Sequence, residues 1–148
     1  LYNEDHLPYP QYALVTYPDG GLITNHRNLS IYLMELMKAY EGAGTLLKKE
    51  SYAELFRQQL PIKKRPRKIS NKYNDEFNSG IFMGFSPAGW VGHSGSDPGI
   101  LCFMFFDPEI KLGHIITLNT SVNGESIEQQ IIPLVREIDS FMYGHIPK

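Results

Sequence analysis

The sequence predicts an α+β fold, an antiparallel meander of about four strands with flanking helices. Three observations predict it. Apolar residues recur at helical spacing in the first third of the chain. Short apolar runs then follow one another from residue 80 to residue 120, separated by turn residues. A last helical stripe closes the chain. Strands and helices are segregated instead of alternating, and turns this short join antiparallel neighbours, not parallel crossovers.

The first 19 residues are rich in Pro, Tyr and Asp and predict an extended lead-in, with a short strand at Tyr12–Tyr17. The helical part spans about 22–60. In it Leu29, Tyr32, Leu33, Leu36, Met37 and Tyr40 form one helix face. Thr24 or Asn25 serves as its N-cap, and Gly42 with Gly44 as its stop. A second helix is expected over Lys49–Leu60, started by a Ser51/Glu54 capping box, striped by Tyr52, Leu55, Phe56 and Leu60, and ended by Pro61. Residues 61–79 predict a solvated basic loop, because Pro66 sits inside the Lys63–Lys68 run and nothing alternates.

The meander covers 80–120, with strands at Ile81–Phe85, Trp90–Ser94, Ile100–Phe106 and His114–Asn119. Ser86-Pro87-Ala88-Gly89, Asp97-Pro98-Gly99 and Asp107-Pro108-Glu109 are the turns, the last closed by Gly113. Ile100–Phe106 is almost wholly apolar, which predicts cover on both faces. A C-terminal helix at about 124–143 carries Ile127, Ile131, Leu134, Val135, Ile138, Phe141 and Met142, with a kink or break at Pro133.

Composition narrows the function classes. At 148 residues the chain fits a single domain or fragment and can bury a core without staples. With 42% hydrophobic and 20% charged residues it is neither a disordered tail nor a low-complexity linker. A net charge of −2 gives no global field for nucleic acid or a membrane surface, and no apolar run reaches the ~20 residues of a span. Cys102 is the single cysteine, so neither an internal disulfide nor a Cys-rich metal motif can form. His6, His26, His114 and His145 lack metal-ligand spacing, so no metal and no cofactor is expected. The Lys63–Lys68 run has no interleaved aromatic residue, so a solvated loop is preferred over nucleic-acid binding. Asn28-Leu29-Ser30 and Asn119-Thr120-Ser121 match the glycosylation pattern by chance.

Chemistry concentrates at Gly92-His93-Ser94-Gly95-Ser96-Asp97-Pro98-Gly99. A Ser-His dyad of sequence neighbours is excluded on a strand, where adjacent side chains point to opposite faces. A nucleophile elbow requires Gly at position 96 and a following helix, and a phosphate loop requires more glycine and a helix N-terminus. Two readings stay open. In one the segment is an active-site edge strand, where Gly95 lets a ligand lie against the backbone and the N–H groups beyond it face an oxyanion. In the other His93 is an exposed strand residue and the glycines only shape a hairpin, the reading the segment alone favours.

The ordered set of features is more specific. Pro18-Asp19-Gly20-Gly21-Leu22-Ile23-Thr24 precedes a helix with Arg27, Leu29 and Leu33. Leu46-Leu47, Glu50-Ser51, His93-Ser94-Gly95, Pro98-Gly99, Phe106-Asp107-Pro108-Glu109 and Ile115–Thr120 follow. Across roughly residues 12–143 the chain resembles the C-terminal part of the serine β-lactamase-like hydrolases, which include class C β-lactamases, DD-peptidases and related esterases.

The resemblance implies the C-terminal part of the β-lactamase/transpeptidase-like fold and a parent that performs acyl transfer on an amide or ester. By the same resemblance His93 tunes charge and proton transfer, Ser94 contacts the substrate, Gly95 permits close approach, and the backbone N–H of Ser96 is one arm of an oxyanion hole. The family's other two motifs are missing. No serine has Lys three residues on, and no tyrosine has Asn two residues on.

The expectation is therefore a piece of a longer hydrolase, inactive alone, an expectation to which the start at Leu1 also contributes. The alternative is a non-catalytic peptide- or peptidoglycan-binding module. The implied partner is a small-molecule or peptide substrate met through the parent enzyme. A homodimer through an exposed sheet edge is expected where the family's N-terminal strands are missing. The implied location is extracytoplasmic, periplasmic or secreted.

Overall fold

Helix α1, His26–Tyr40, starts where the sequence can satisfy its free N–H groups. The Asn25 side chain accepts from Asn28 N at 3.0 Å. The helix stops at Gly42, whose φ of +83° is open to glycine at little cost. Leu33, Leu36 and Ala39 are its buried face. Tyr32 lies outside that face, and Tyr40 meets the core edge-on through Phe56 and Phe106, with ring centroids 5.2 and 5.6 Å away.

The computed structural model describes residues 1–17, 19–61, 77–122, 125 and 127–145. The Lys63–Lys68 run and Pro18 lie outside the described residues. Two compact units are formed: Leu14–Gly95 with Cys102–Ile115, and Leu1–Ala13 with Ser96–Leu101 and Ile116–Lys148. The architecture is α+β, with five strands in sequential order β1-β2-β3-β4-β5. They are β1 Asn78–Ser79, β2 Gly84–Phe85, β3 Val91–Asp97, β4 Ile100–Asp107 and β5 Leu112–Leu118.

Helix α2 covers only Lys49–Leu55, shorter than Lys49–Leu60. The backbone beyond Phe56 is recruited by the sheet instead. Gln59 N donates to Ser79 O at 2.7 Å, and Ile81 N donates to Leu55 O at 3.1 Å. Asn78 completes the exchange from a fully buried position. Its Oδ1 accepts from Leu60 N at 2.9 Å, and its Nδ2 donates to Gln58 Oε1 and Leu60 O at 2.9 and 3.1 Å. The capping box does not form, because the helix begins at Lys49 and the Glu54 carboxylate is engaged by Arg57 at 2.8 and 2.5 Å.

The fifth strand, β1, falls at the end of the stretch read as a loop. Ile81 and Phe82 leave the expected first strand for the β1–β2 turn. Gly80 N closes that turn on Met83 O at 2.7 Å, and Phe82 adopts φ +59° with 83% of its surface exposed. The core of this unit gathers Leu33, Leu36, Met83, Phe85, Val91 and Phe106. Gly113 lies within β5 and does not close a turn. A methyl group there would come within 2.8 Å of Leu33 Cδ2 and 3.0 Å of Met37 Sδ, so its absence lets α1 lie close on β5.

No strand forms at Tyr12–Tyr17. The extended lead-in makes an antiparallel bridge between Tyr2 and Pro8 and a parallel bridge between Tyr2 and Thr120. The C-terminal helix is divided, as Pro133 requires. A π-helical turn at Ile127–Ile131 gives way to α3, Ile132–Gly144, with Pro133 in its first turn, where a missing N–H costs nothing. Among the described residues no helix is long and apolar enough to cross a membrane.

One carboxylate ties α1 to α2. Glu35 accepts hydrogen bonds from Thr45 N, from the Thr45 hydroxyl at 3.1 Å, from Leu46 N at 3.1 Å and from the Tyr52 hydroxyl at 2.8 Å. The Thr45 N–H first, and then the Tyr52 hydroxyl, hold its pKa down to about 2 against an ordinary 4.5, although partial burial opposes them. A carboxylate depressed in the folded state stabilises above its unfolded pKa, and that contribution is lost as pH falls from 4.5 to about 2. Urea midpoints measured across this window should therefore fall more steeply for the wild type than for Glu35→Gln; parallel curves would refute the assignment.

Candidate functional site

Strand β3 carries every candidate residue, and its pairing changes along its length. Strand β2 pairs antiparallel with its first two residues only, Phe85 opposite Val91 and Gly84 opposite Gly92. The register with β2 ends at Gly92, and β4 is the other neighbour of β3 in the strand order. Val91 and Gly92 are accordingly buried, Ser94 is half-buried, and His93, Gly95 and Ser96 are exposed. The chain thus places an imidazole, two serines and a glycine on a strand that is interior at one end and open at the other.

The two glycines of Gly92-His93-Ser94-Gly95 do different work. A Cβ on Gly92 would lie 2.1 Å from Met104 O and 2.7 Å from Phe105 Cα, both backbone atoms. Gly92 is therefore a close-approach site between β3 and β4. A Cβ on Gly95 would meet nothing within 4 Å. The absent side chain at Gly95 leaves open space over the strand and not room for the fold.

The His93 ring is oriented by its own backbone. Its Nδ1 lies 2.7 Å from Ser94 O. A carbonyl oxygen only accepts, so Nδ1 carries the proton, and in the neutral ring Nε2 keeps a lone pair. The imidazole does not pair with the Ser94 hydroxyl here, in keeping with their opposite directions on the strand. Two concavities of the same unit lie elsewhere, along α1. One of about 220 Å³ is lined by Met34, Met37, Tyr40, Phe106 and Pro108, and one of about 530 Å³ by His26, Ser30, Leu33, Gly113 and Ile115. Neither includes a residue of His93–Ser96.

Trp90 and Asp107 tie the start of β3 to the β4–β5 turn. The Trp90 Nε1–H donates to Asp107 Oδ2 at 3.2 Å, while Asp107 Oδ1 accepts from Glu109 N at 2.9 Å. The carboxylate in Phe106-Asp107-Pro108-Glu109 thus shapes the β4–β5 turn and pins the tryptophan that precedes β3. An Asp followed by Pro and then Glu is a readable turn signal; its bond to a ring 17 positions away is not. Burial pushes the Cys102 thiol up, away from a reactive thiolate. Among the described residues no three His, Cys, Asp or Glu side chains group as metal ligands.

With the sheet and its open strand described, the comparison with known families is direct. Residues 2–132 match the Beta-lactamase family model, and the chain belongs to that family. No curated protein and no solved structure matches the chain.

The glycine pair gives a paired outcome. Gly92→Ala should destabilise the protein by about 3 kcal/mol or more, because two backbones would have to separate. Gly95→Ala should change stability by no more than about 0.5 kcal/mol. Urea unfolding of the two variants checks both, and equal losses would remove the distinction.

Proposed function

We propose that this chain supplies one wall of an acyl-transfer site in a β-lactamase-like serine hydrolase, and that alone it binds substrate without turning it over. The carrying observation is the exposure of His93, Gly95 and Ser96 on β3 past the end of its register with β2, with open space where a Gly95 side chain would lie. In this reading a substrate backbone lies along β3, and Gly95 admits it to van der Waals distance. Ser94 donates to its carboxylate or carbonyl. The backbone N–H of Ser96 faces the carbonyl oxygen as charge develops there, a contribution typically worth ~10²–10³ in rate when a nucleophile stands opposite. His93 presents Nε2 as the available acceptor, because Nδ1 is already engaged.

The serine that would be acylated lies outside this sequence, since none of its serines stands in a Ser-x-x-Lys motif. Nitrocefin and a p-nitrophenyl ester should therefore show no hydrolysis above buffer with this chain alone. A D-Ala-D-Ala peptide should bind saturably, and Ser94→Ala should abolish that binding. Turnover by the isolated chain would refute the division of labour; absence of binding would refute the wall.

The second reading is a peptide- or peptidoglycan-binding module. It is favoured by the same exposed strand and by the absence of a Ser-x-x-Lys motif from the sequence, and it differs in requiring no acylating partner. We further propose self-association through an exposed edge of the sheet. Light scattering should give a dimer mass at high concentration, and a monomer mass there would refute it.

A further inference from the structure

Strand β3 ends in a two-residue turn, Pro98-Gly99, before β4 begins at Ile100. Proline followed by glycine is the residue order of a type II turn, and Gly99 has the matching φ of +80°. In a hairpin the turn fixes the register, and the register decides where each backbone N–H of the strand points. Ser96 is two residues from this turn. Whatever holds Pro98 and Gly99 therefore holds the Ser96 N–H.

Two side chains distant in sequence grip the turn. The Tyr12 hydroxyl donates to Pro98 O at 2.7 Å, across 86 positions. Gly99 N donates to Ser121 Oγ at 2.8 Å, and the Tyr9 hydroxyl lies 3.2 Å from the same oxygen. The backbone of Ser121 is itself tied down. Ser121 N donates to Tyr2 O at 2.8 Å, and Tyr2 N donates to Asn119 O at 2.9 Å. Gly99 is buried under this strap; a Cβ on it would come within 2.6 Å of Leu1 Cβ and 3.1 Å of Tyr2 N. Ser96, the turn, the strap and Ser121 all belong to one compact unit. Ser121, the last residue of a glycosylation-like triplet with no other evident use, thus acquires a definite job.

We infer that Tyr12 and Ser121 are positioning residues for the Ser96 N–H, acting through the Pro98-Gly99 turn; the inference rests on the reading of Ser96 as an oxyanion donor. Neither side chain touches substrate. Each removes one freedom from the turn, Tyr12 at the Pro98 carbonyl and Ser121 at the Gly99 amide.

Amide hydrogen exchange on the ¹⁵N-labelled full chain tests it. Tyr12→Phe deletes a single donor and keeps the ring. Ser121→Ala deletes a single acceptor, and Ser121→Thr restores a hydroxyl. Loss of one such hydrogen bond corresponds to about fivefold in an opening equilibrium. The Gly99 amide should exchange about fivefold faster in Tyr12→Phe and in Ser121→Ala, the Ser96 amide resonance should shift in both, Phe103 and Phe105 should be unchanged, and Ser121→Thr should return both readouts to the wild-type values.

Faster exchange at Gly99 with the Ser96 amide resonance unmoved would overturn the inference. So would uniform acceleration of all amides, or failure of both variants to fold, since either would make the residues general stabilisers. A D-Ala-D-Ala titration followed at the Ser96 amide separates this from the functional reading. Its affinity should fall about fivefold in Tyr12→Phe. No shift in the wild type, with the exchange pattern intact, overturns the oxyanion role and leaves the clamp standing. Wild-type binding with unchanged exchange in the variants overturns the clamp and leaves the role standing.

Discussion

Strand β2 reaches β3 only at Val91 and Gly92, and what the proposed site can offer depends on where that register ends. A strand paired on both sides has its N–H and C=O groups committed to its neighbours. A strand paired on one side offers every second residue's backbone groups to an incoming chain. The register ends where it does because β2 is only two residues long, and β2 is short because the β1–β2 turn consumes Ile81 and Phe82. That turn is held in turn by β1, whose Asn78 binds the segment leaving α2. A buried asparagine far from His93 in sequence therefore helps to set how much of β3 pairs with β2.

The support beneath the wall is a second set of close approaches. Gly92 admits the β4 backbone, and Gly113 admits the Leu33 and Met37 side chains of α1. Phe106 then lies against Tyr40 and Phe56 in edge-to-face contacts, a geometry that favours ring pairs beyond the area they bury. Glu35 fastens the loop between the two helices from the opposite end of α1, so that the helix is fixed at its capped start, along its glycine contact and at its carboxylate.

Much of this was legible beforehand, for identifiable reasons. Helix α1 announces itself through a period of 3.6 over four turns with an Asn cap, because that pattern buries one face and satisfies one end. The Pro98-Gly99 and Asp107-Pro108 turns announce themselves because their residues restrict φ. The strand carrying Gly92 and Gly95 was readable, but not the division of roles between those two glycines, which depends on what packs above each. The short α2 was unreadable for the same kind of reason: Phe56–Leu60 has helical character, and only long-range pairing with Asn78 and Ser79 overrides it. Strand β1 is two polar residues, too short for any period to register. Glu35, Tyr12 and Ser121 carry no local signature at all, since each acts through a partner chosen by the fold.

Trp90 has a consequence of another kind. It is the single tryptophan of the chain, nearly fully buried, with its N–H on Asp107 and the His114 ring edge-on at 5.5 Å. It belongs to the unit of Leu14–Gly95 and Cys102–Ile115, whereas the unit of the strap and α3 has tyrosines as its only ultraviolet fluorophores besides phenylalanine. Indole emission on unfolding is thus a built-in gauge of one unit. Set beside a tyrosine or circular-dichroism signal from the whole chain, it reveals directly whether the two units melt as a single cooperative body or in succession.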